Sequence, residues 1–182
     1  NIFSTNFRTS KIRLLPKRQD SPFIGNWRPI SLLFVCYKLL SGTLSRRLNS
    51  VHEKIISVEQ KAYSKKRWLQ DVVANILTTI DHLNYEKKQA CFFCLDFDKA
   101  FDKINHAYIF EVLELLNFGQ NFINLIKLLL KDRKGAIILN DEISTPFEVS
   151  RGTPQGDKIA PILILIALEP LLLKVNYSEN VH

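Results

Sequence analysis

Apolar and polar positions along the chain fall into two periods. From Lys11 to Lys17 charged and apolar residues alternate (KIRLLPK), which predicts a short strand closed by Pro16. Pro22, Gly25 and Pro29 then mark a loop. NWRPISLL, Asn26 to Leu33, leads into a helical pattern running to about Leu48. Its apolar side is Leu32, Leu33, Val35, Cys36, Leu39, Leu40, Leu44 and Leu48. Arg46 and Arg47 stand near its end, where cations suit the helix dipole. A second helix is predicted over 72–85, with Val73, Ile76, Leu77, Ile80 and Leu83 as its stripe. Two more follow, Tyr108 to about Asn117 and Phe122 to about Leu130, with Gly119 as the C-terminal glycine of the first. Ala136 to Leu139 and Phe147 to Val149 read as paired strands around Asn140–Asp141–Glu142. Ile159 to Val175 reads as a buried helix. Pro161, Glu169, Pro170 and Lys174 interrupt it, and it falls short of the roughly 20 apolar residues of a membrane span.

The stretch ACFFCLDFDKAFDKINH, Ala90 to His106, carries the candidate chemistry. Its apolar start, Ala90 to Leu95, is too short for a good helix and predicts a strand, buried or nearly so. That strand delivers Asp96 at its end and Asp98 on the same face. A carboxylate there is costly to desolvate unless something positive meets it. A hard divalent cation such as Mg²⁺ would do so, held by one or two carboxylates plus substrate phosphates. The plain alternative for Asp96 is a solvated surface carboxylate. For Asp98 and Asp102 the preferred reading is a cap at the N-terminus of the helix that follows. Cys91 and Cys94 have C-x-x-C spacing without a second pair, which reads as core packing rather than zinc or redox chemistry.

Composition changes the picture in two ways. The 182 residues are 46% hydrophobic, enough for one good core with a small second lobe. Charge is uneven: residues 1–70 hold 14 Lys and Arg against 3 Asp and Glu, whereas the rest of the chain is mildly acidic. A polyanion-binding region beside a metal-binding one would show this, as would an ordinary basic surface. The absence of Met leads us to expect a fragment of a longer reading frame, and the odd count of 3 Cys without a signal peptide an intracellular, reduced protein.

LDFDKAFDKINH resembles the first catalytic motif of reverse transcriptases of the non-LTR retrotransposon and group II intron kind. KIRLLPK and NWRPISLL resemble two segments of that family's fingers, in the same order. EQKAYSKKRWLQD resembles its glutamine-led segment, with Ala62 in place of the usual Gly and Trp68 in place of a small residue. SRGTPQGDKIAP, Ser150 to Pro161, resembles the second palm motif, with Ala160 where Ser is usual, and LEPL lies in the helix after it.

The resemblance implies an α+β fold, with antiparallel palm strands backed by helices. Residues 1–85 would form a basic, fingers-like region and 86–182 a partial palm. It implies that Asp96 is the catalytic, metal-binding carboxylate, with Mg²⁺ or Mn²⁺ as cofactor. Lys17 and Arg28 would hold the triphosphate, and Phe101, Gln155 and Gly156 would shape the nucleotide pocket. Tyr63, Lys65, Arg67 and Gly152 would contact the template. Expected partners are an RNA template, a DNA primer and deoxynucleoside triphosphates, with no membrane. The expected setting is the nucleus or a cytoplasmic ribonucleoprotein. The family's third motif, an aromatic-x-Asp-Asp hairpin, has no counterpart after Gln155, so the fragment is expected to be inactive alone. Two other readings stay open. One is a non-catalytic nucleic-acid-binding derivative. The other is an unrelated basic domain, favoured if Ser150–Pro161 lay far from Asp96.

Overall fold

The computed structural model describes residues 5–17, 22–63 and 67–178. A short helix, α1 (Thr5–Arg8), leads into β1 (Thr9–Pro16), which a turn over 24–26 connects to β2 (Trp27–Leu32). β1 and β2 pair antiparallel, with Leu15 opposite Arg28. The alternation in KIRLLPK therefore forms its strand. Trp27–Leu32 is a strand as well, not the approach to a helix. Pro29 is compatible with it because β2 lies at the edge of the sheet, with no second neighbour to serve.

Helices α2 (Val35–Asn49), α3 (His52–Ile55) and α4 (Leu69–Glu86) follow. The buried face of α2 is Tyr37, Ser41, Leu44, Ser45 and Leu48, whereas Val35, Cys36 and Leu39 face solvent. The predicted apolar side is thus rotated. The reason lies in polar partners: Ser41 and Ser45 are buried because the loop after residue 150 supplies them with acceptors, Asp157 and the Lys158 carbonyl.

After α5 (Ala100–Lys103) come α6 (His106–Leu115) and α7 (Gln120–Leu130), then β3 (Arg133–Leu139), β4 (Glu142–Ile143), β5 (Phe147–Val149) and α8 (Ala160–Ser178). The Asn105 side chain caps α6 by accepting from the Ala107 amide at 2.9 Å. Asn117, at φ 56°, takes the left-handed turn that ends α6. Gly119, with φ −62°, is instead the N-cap of α7. Neither Asp98 nor Asp102 is a cap, because Lys99 occupies that place at α5.

One mixed sheet has the order β2-β1-β3-β4, with β5 also on β3. β1 lies parallel to β3, Ile12 facing Ile137, so the sheet joins segments more than a hundred residues apart. Asn140 and Asp141, both at positive φ, make the tight turn to β4. The core is built by α2, α6, α7 and α8 around Leu44, Ile109, Leu113, Ile126, Leu163 and Ile166. α8 is apolar on most sides, as suits a helix surrounded by others. Its buried Glu169 is satisfied by the Ser57 amide at 2.9 Å, the Ser57 hydroxyl, and Gln60 Nε2 at 2.6 Å.

Two predictions fail on the segment between α4 and α5. Residues 91–97 form no strand, and Phe92, Phe93 and Leu95 are 69, 84 and 83% exposed. An apolar run becomes a strand only when a neighbour completes its backbone hydrogen bonds, and the strands of the sheet pair with one another instead. Cys91 and Cys94 are accordingly free and exposed rather than core. The stripe of α4 is unpartnered too: the helix has no buried residue. Among the described residues no helix is long and apolar enough to cross a membrane.

Candidate active site

The site begins with two turns that meet. The loop 150–157 is laid against the turn 98–106 by backbone bonds: Gly152 N donates to Ile104 O at 2.8 Å and Thr153 N to Phe101 O at 2.7 Å. His106 Nε2 lies 2.7 Å from the Gly152 carbonyl oxygen. The approach is so close that a Cβ on Gly152, itself at φ +75°, would stand 2.6 Å from the Phe101 carbonyl oxygen. Only glycine fits there. Ser31 N, on β2, donates to the Gln155 carbonyl at 3.0 Å. The β1–β2 hairpin, the 98–106 turn and the 150–157 loop thus converge.

Between them lies a cavity of about 500 Å³. Lys17, Arg28, Asp96, Phe101 and Gln155 all line it. An adjoining cavity of about 690 Å³ shares Arg28, Phe101 and Gln155 and adds Tyr63 and Gly156. Seven of the residues singled out in the sequence therefore meet in two joined hollows. Their separation along the chain carries no hint of this, and the loop Ser150–Pro161 lies beside Asp96 rather than far from it.

The carboxylates are not equivalent. Asp98 is exposed and ion-paired with Lys103, whose hydrogen bond and charge hold its carboxyl below the usual range. Asp102 is partly buried, and desolvation raises it despite a 3.4 Å hydrogen bond from Gln155 Nε2. Asp96 is exposed and lines the cavity together with Asp98 and Asp102. Lys17 lines the same cavity as Asp98 and Asp102. Lys99 turns the chain between Asp96 and α5 in the left-handed region, at φ 54°.

The donor set suits a hard cation: carboxylate oxygens in a cavity that Lys17 and Arg28 also line, where they could meet phosphate. Among the described residues no group of three His, Cys, Asp or Glu gathers into a closed metal centre. A cation at Asp96 would complete its shell from substrate oxygens and water.

Two further predicted residues lie elsewhere. The Arg67 guanidinium donates to the carbonyls of Gln60 (2.8 Å) and Ile56 (3.0 Å), with Ser57 as a further acceptor, and so ties down the segment after α3. Gly152 is buried against the 98–106 turn. Lys65 lies outside the described residues.

Sequence reasoning missed the buried polar cluster behind the loop. The Tyr37 hydroxyl lies 3.1 Å from Asp157 Oδ2 and 3.3 Å from the Leu129 carbonyl, and Ser41 donates to Asp157 Oδ1. Burial raises both the Tyr37 phenol and the Asp157 carboxyl. The signal was present only as polar residues, Ser41 and Ser45, on a face that had to be buried.

This chain belongs to the reverse transcriptase (RNA-dependent DNA polymerase) family, whose model matches residues 15–181. It is 32% identical over 168 residues to the Transposon TX1 uncharacterized 149 kDa protein of Xenopus laevis, covering 91% of this chain and 13% of that protein. It is 28% identical to the Pol polyprotein of the type-1 retrotransposable element R2 from Popillia japonica, covering 97% of this chain and 25% of that protein. The chain thus spans a quarter or less of the length of these two relatives. In fold it is similar to an apo telomerase of Candida tropicalis, with a TM-score of 0.61 at 16% identity over 99% of this chain and 41% of the other. The α+β architecture is therefore that of the family, whose members generally use divalent metal ions.

Proposed function

We propose that this chain forms the nucleotide-binding fingers (1–85) and part of the palm (86–182) of an RNA-directed DNA polymerase within a non-LTR retrotransposon polyprotein. The reaction is attack of a primer 3′-hydroxyl on the α-phosphate of a deoxynucleoside triphosphate. A phosphodiester forms and pyrophosphate leaves. The observation that carries this reading is the shared cavity, which Asp96, Lys17, Arg28, Phe101 and Gln155 all line.

Arg28 grips the triphosphate, because its planar fork donates two hydrogen bonds at once, and Lys17 adds a mobile point charge. Asp96 would hold Mg²⁺ or Mn²⁺, which would supply positive charge to stabilise the transferring phosphoryl group. Phe101 is half-buried and lines both hollows, where its ring excludes a 2′-hydroxyl and offers it no partner. Gln155 and Gly156 floor the base-pair side, and Tyr63 meets the RNA template.

The test is nucleotide binding by this chain with Mg²⁺ present. Arg28→Ala should weaken deoxynucleoside triphosphate binding about tenfold, or about 1.4 kcal/mol. Phe101→Val should narrow the preference for the deoxy over the ribo form. Unchanged binding in Arg28→Ala, together with no sugar preference in the parent chain, would sink the proposal.

A further inference from the structure

Where α7 gives way to β3, the chain borders a hollow of about 280 Å³ that shares no residue with the two at the nucleotide site. Lys131, Arg133, Lys134 and Ser150 are in its lining. Arg133 is the informative one. It opens β3, pairs with Val149 of β5, and is only 4% exposed. Among the described residues its guanidinium has neither a hydrogen-bond acceptor nor an ion-pair partner. Its charge acts on Tyr37 and Asp157. Both Asp157 oxygens, however, are occupied, one by the Tyr37 hydroxyl at 3.1 Å and the other by Ser41. A guanidinium carries five N–H donors in a fixed fork, and burying them unmatched is costly. A buried arginine that lines a cavity and lacks an acceptor is matched by a ligand that brings one.

The charges around it favour an anion. Asp132 and Glu148 also line the hollow, but Arg8 holds Asp132 at 3.0 Å and Lys134 stands opposite Glu148 across the β3–β5 pair. Three lining cations, with Arg8 as a fourth, therefore outweigh two carboxylates. The volume falls below the roughly 300–1,000 Å³ of pockets for drug-sized ligands, which suits a small anion rather than a nucleotide. A carboxylate would satisfy the fork alone. A phosphate dianion satisfies the fork and draws on the lysines as well. We propose that this hollow is a second anion site, for free phosphate or the phosphomonoester end of a larger molecule. Arg133 forks onto two oxygens, and Lys131, Lys134 and Ser150 meet the rest. Ser150 begins the loop that carries Gln155, so the anion is held at the root of that loop. The site stands on Arg133 and is independent of the polymerase reading.

The test is calorimetric titration of the whole chain with inorganic phosphate, against chloride at equal ionic strength, with amide exchange to locate the effect. Phosphate should slow exchange over 131–134 and 148–150. Because phosphate also strengthens burial generally by exclusion from protein surfaces, the variants supply the comparison. Arg133→Gln should weaken phosphate binding about tenfold, the worth of a charged hydrogen bond. Lys131→Gln with Lys134→Gln, which changes exposed residues alone, should weaken it about threefold. Unchanged affinity in a folded Arg133→Gln would overturn the proposal. If that variant does not fold, the lysine pair decides, and unchanged affinity there overturns it likewise. Arg28→Ala should leave the exchange effect at 131–134 in place. An effect lost in Arg28→Ala and kept in Arg133→Gln would assign the phosphate to the nucleotide cavity and overturn the site. Ribose 5-phosphate set against ribose separates the sources: protection of 131–134 by the ester supports a monoester end, and protection by inorganic phosphate alone supports the free anion.

Discussion

Two regions with apolar stripes have opposite fates. In α6, α7 and α8, Ile109, Leu113, Ile126, Leu130, Leu163 and Ile166 are at most 1% exposed. Along 69–97, Leu77 is 57% exposed, Phe93 84% and Leu95 83%, and α4 has no fully buried residue. The difference is one of partners. α6 packs on both α7 and α8, so each helix finishes burying its neighbour. The stripe of α4 and the run before Asp96 meet no such face. Apolar patterning states that a surface needs covering; it does not supply the cover. One consequence reaches the site, because Asp96 is positioned by an unladdered segment while Gln155 is positioned by hydrogen bonds on two sides.

The largest effect should come from contrasting the two regions directly. Leu163→Ala should cost about 3–5 kcal/mol, the transfer term plus the cavity left behind. Leu77→Ala should stay within about 0.5 kcal/mol. Urea unfolding of both variants checks this, and a comparable loss in Leu77→Ala would show α4 packed after all.

Next is the seam between the two turns. Gly152→Ala should cost about 2–5 kcal/mol, from left-handed strain and from a Cβ driven against two carbonyls. Nucleotide binding should fall with it, because the loop that carries Gln155 is displaced. A variant that melts with the parent and binds as well would break the account of the seam.

Tyr37→Phe should cost about 1–3 kcal/mol, because it leaves the buried Asp157 short of a donor. Calorimetry on the single variant and on Tyr37→Phe with Asp157→Asn sharpens the point. The second change relieves the unpaired charge, so the pair should lose less than the sum of its parts.

The smallest effect is a dependence on pH. Burial holds the His106 imidazole below its ordinary 6.5, so the unfolded chain accepts a proton that the native one refuses. Stability is full above that value and declines as pH falls through it towards the folded one. Melting temperatures between about pH 7.5 and 5.5 should fall in the parent chain, and the decline should flatten in His106→Gln. An identical slope in both would remove His106 from the seam.

Local order was legible in the residues. The alternation of KIRLLPK made a strand, and the helical period placed α4, α6, α7 and α8. The motifs around Asp96, Arg28, Phe101 and Gln155 resembled those of the reverse transcriptase family, and that resemblance implied their chemistry before any geometry was known. The elements themselves follow from period, which depends on neighbours a few positions away. Tertiary structure decided the rest, through contacts between distant segments. Ala90–Leu95 reads as a strand and is none, because a ladder needs a second backbone. Ser41 and Ser45 stand outside the predicted apolar side of α2 and are buried, because Asp157 and the Lys158 carbonyl, more than a hundred residues on, accept their protons. Gly152 reads as a template contact and lies against Phe101 and Asp102. Sequence names the groups a chain can offer; which of them meet depends on which faces find a complement once the chain has closed on itself.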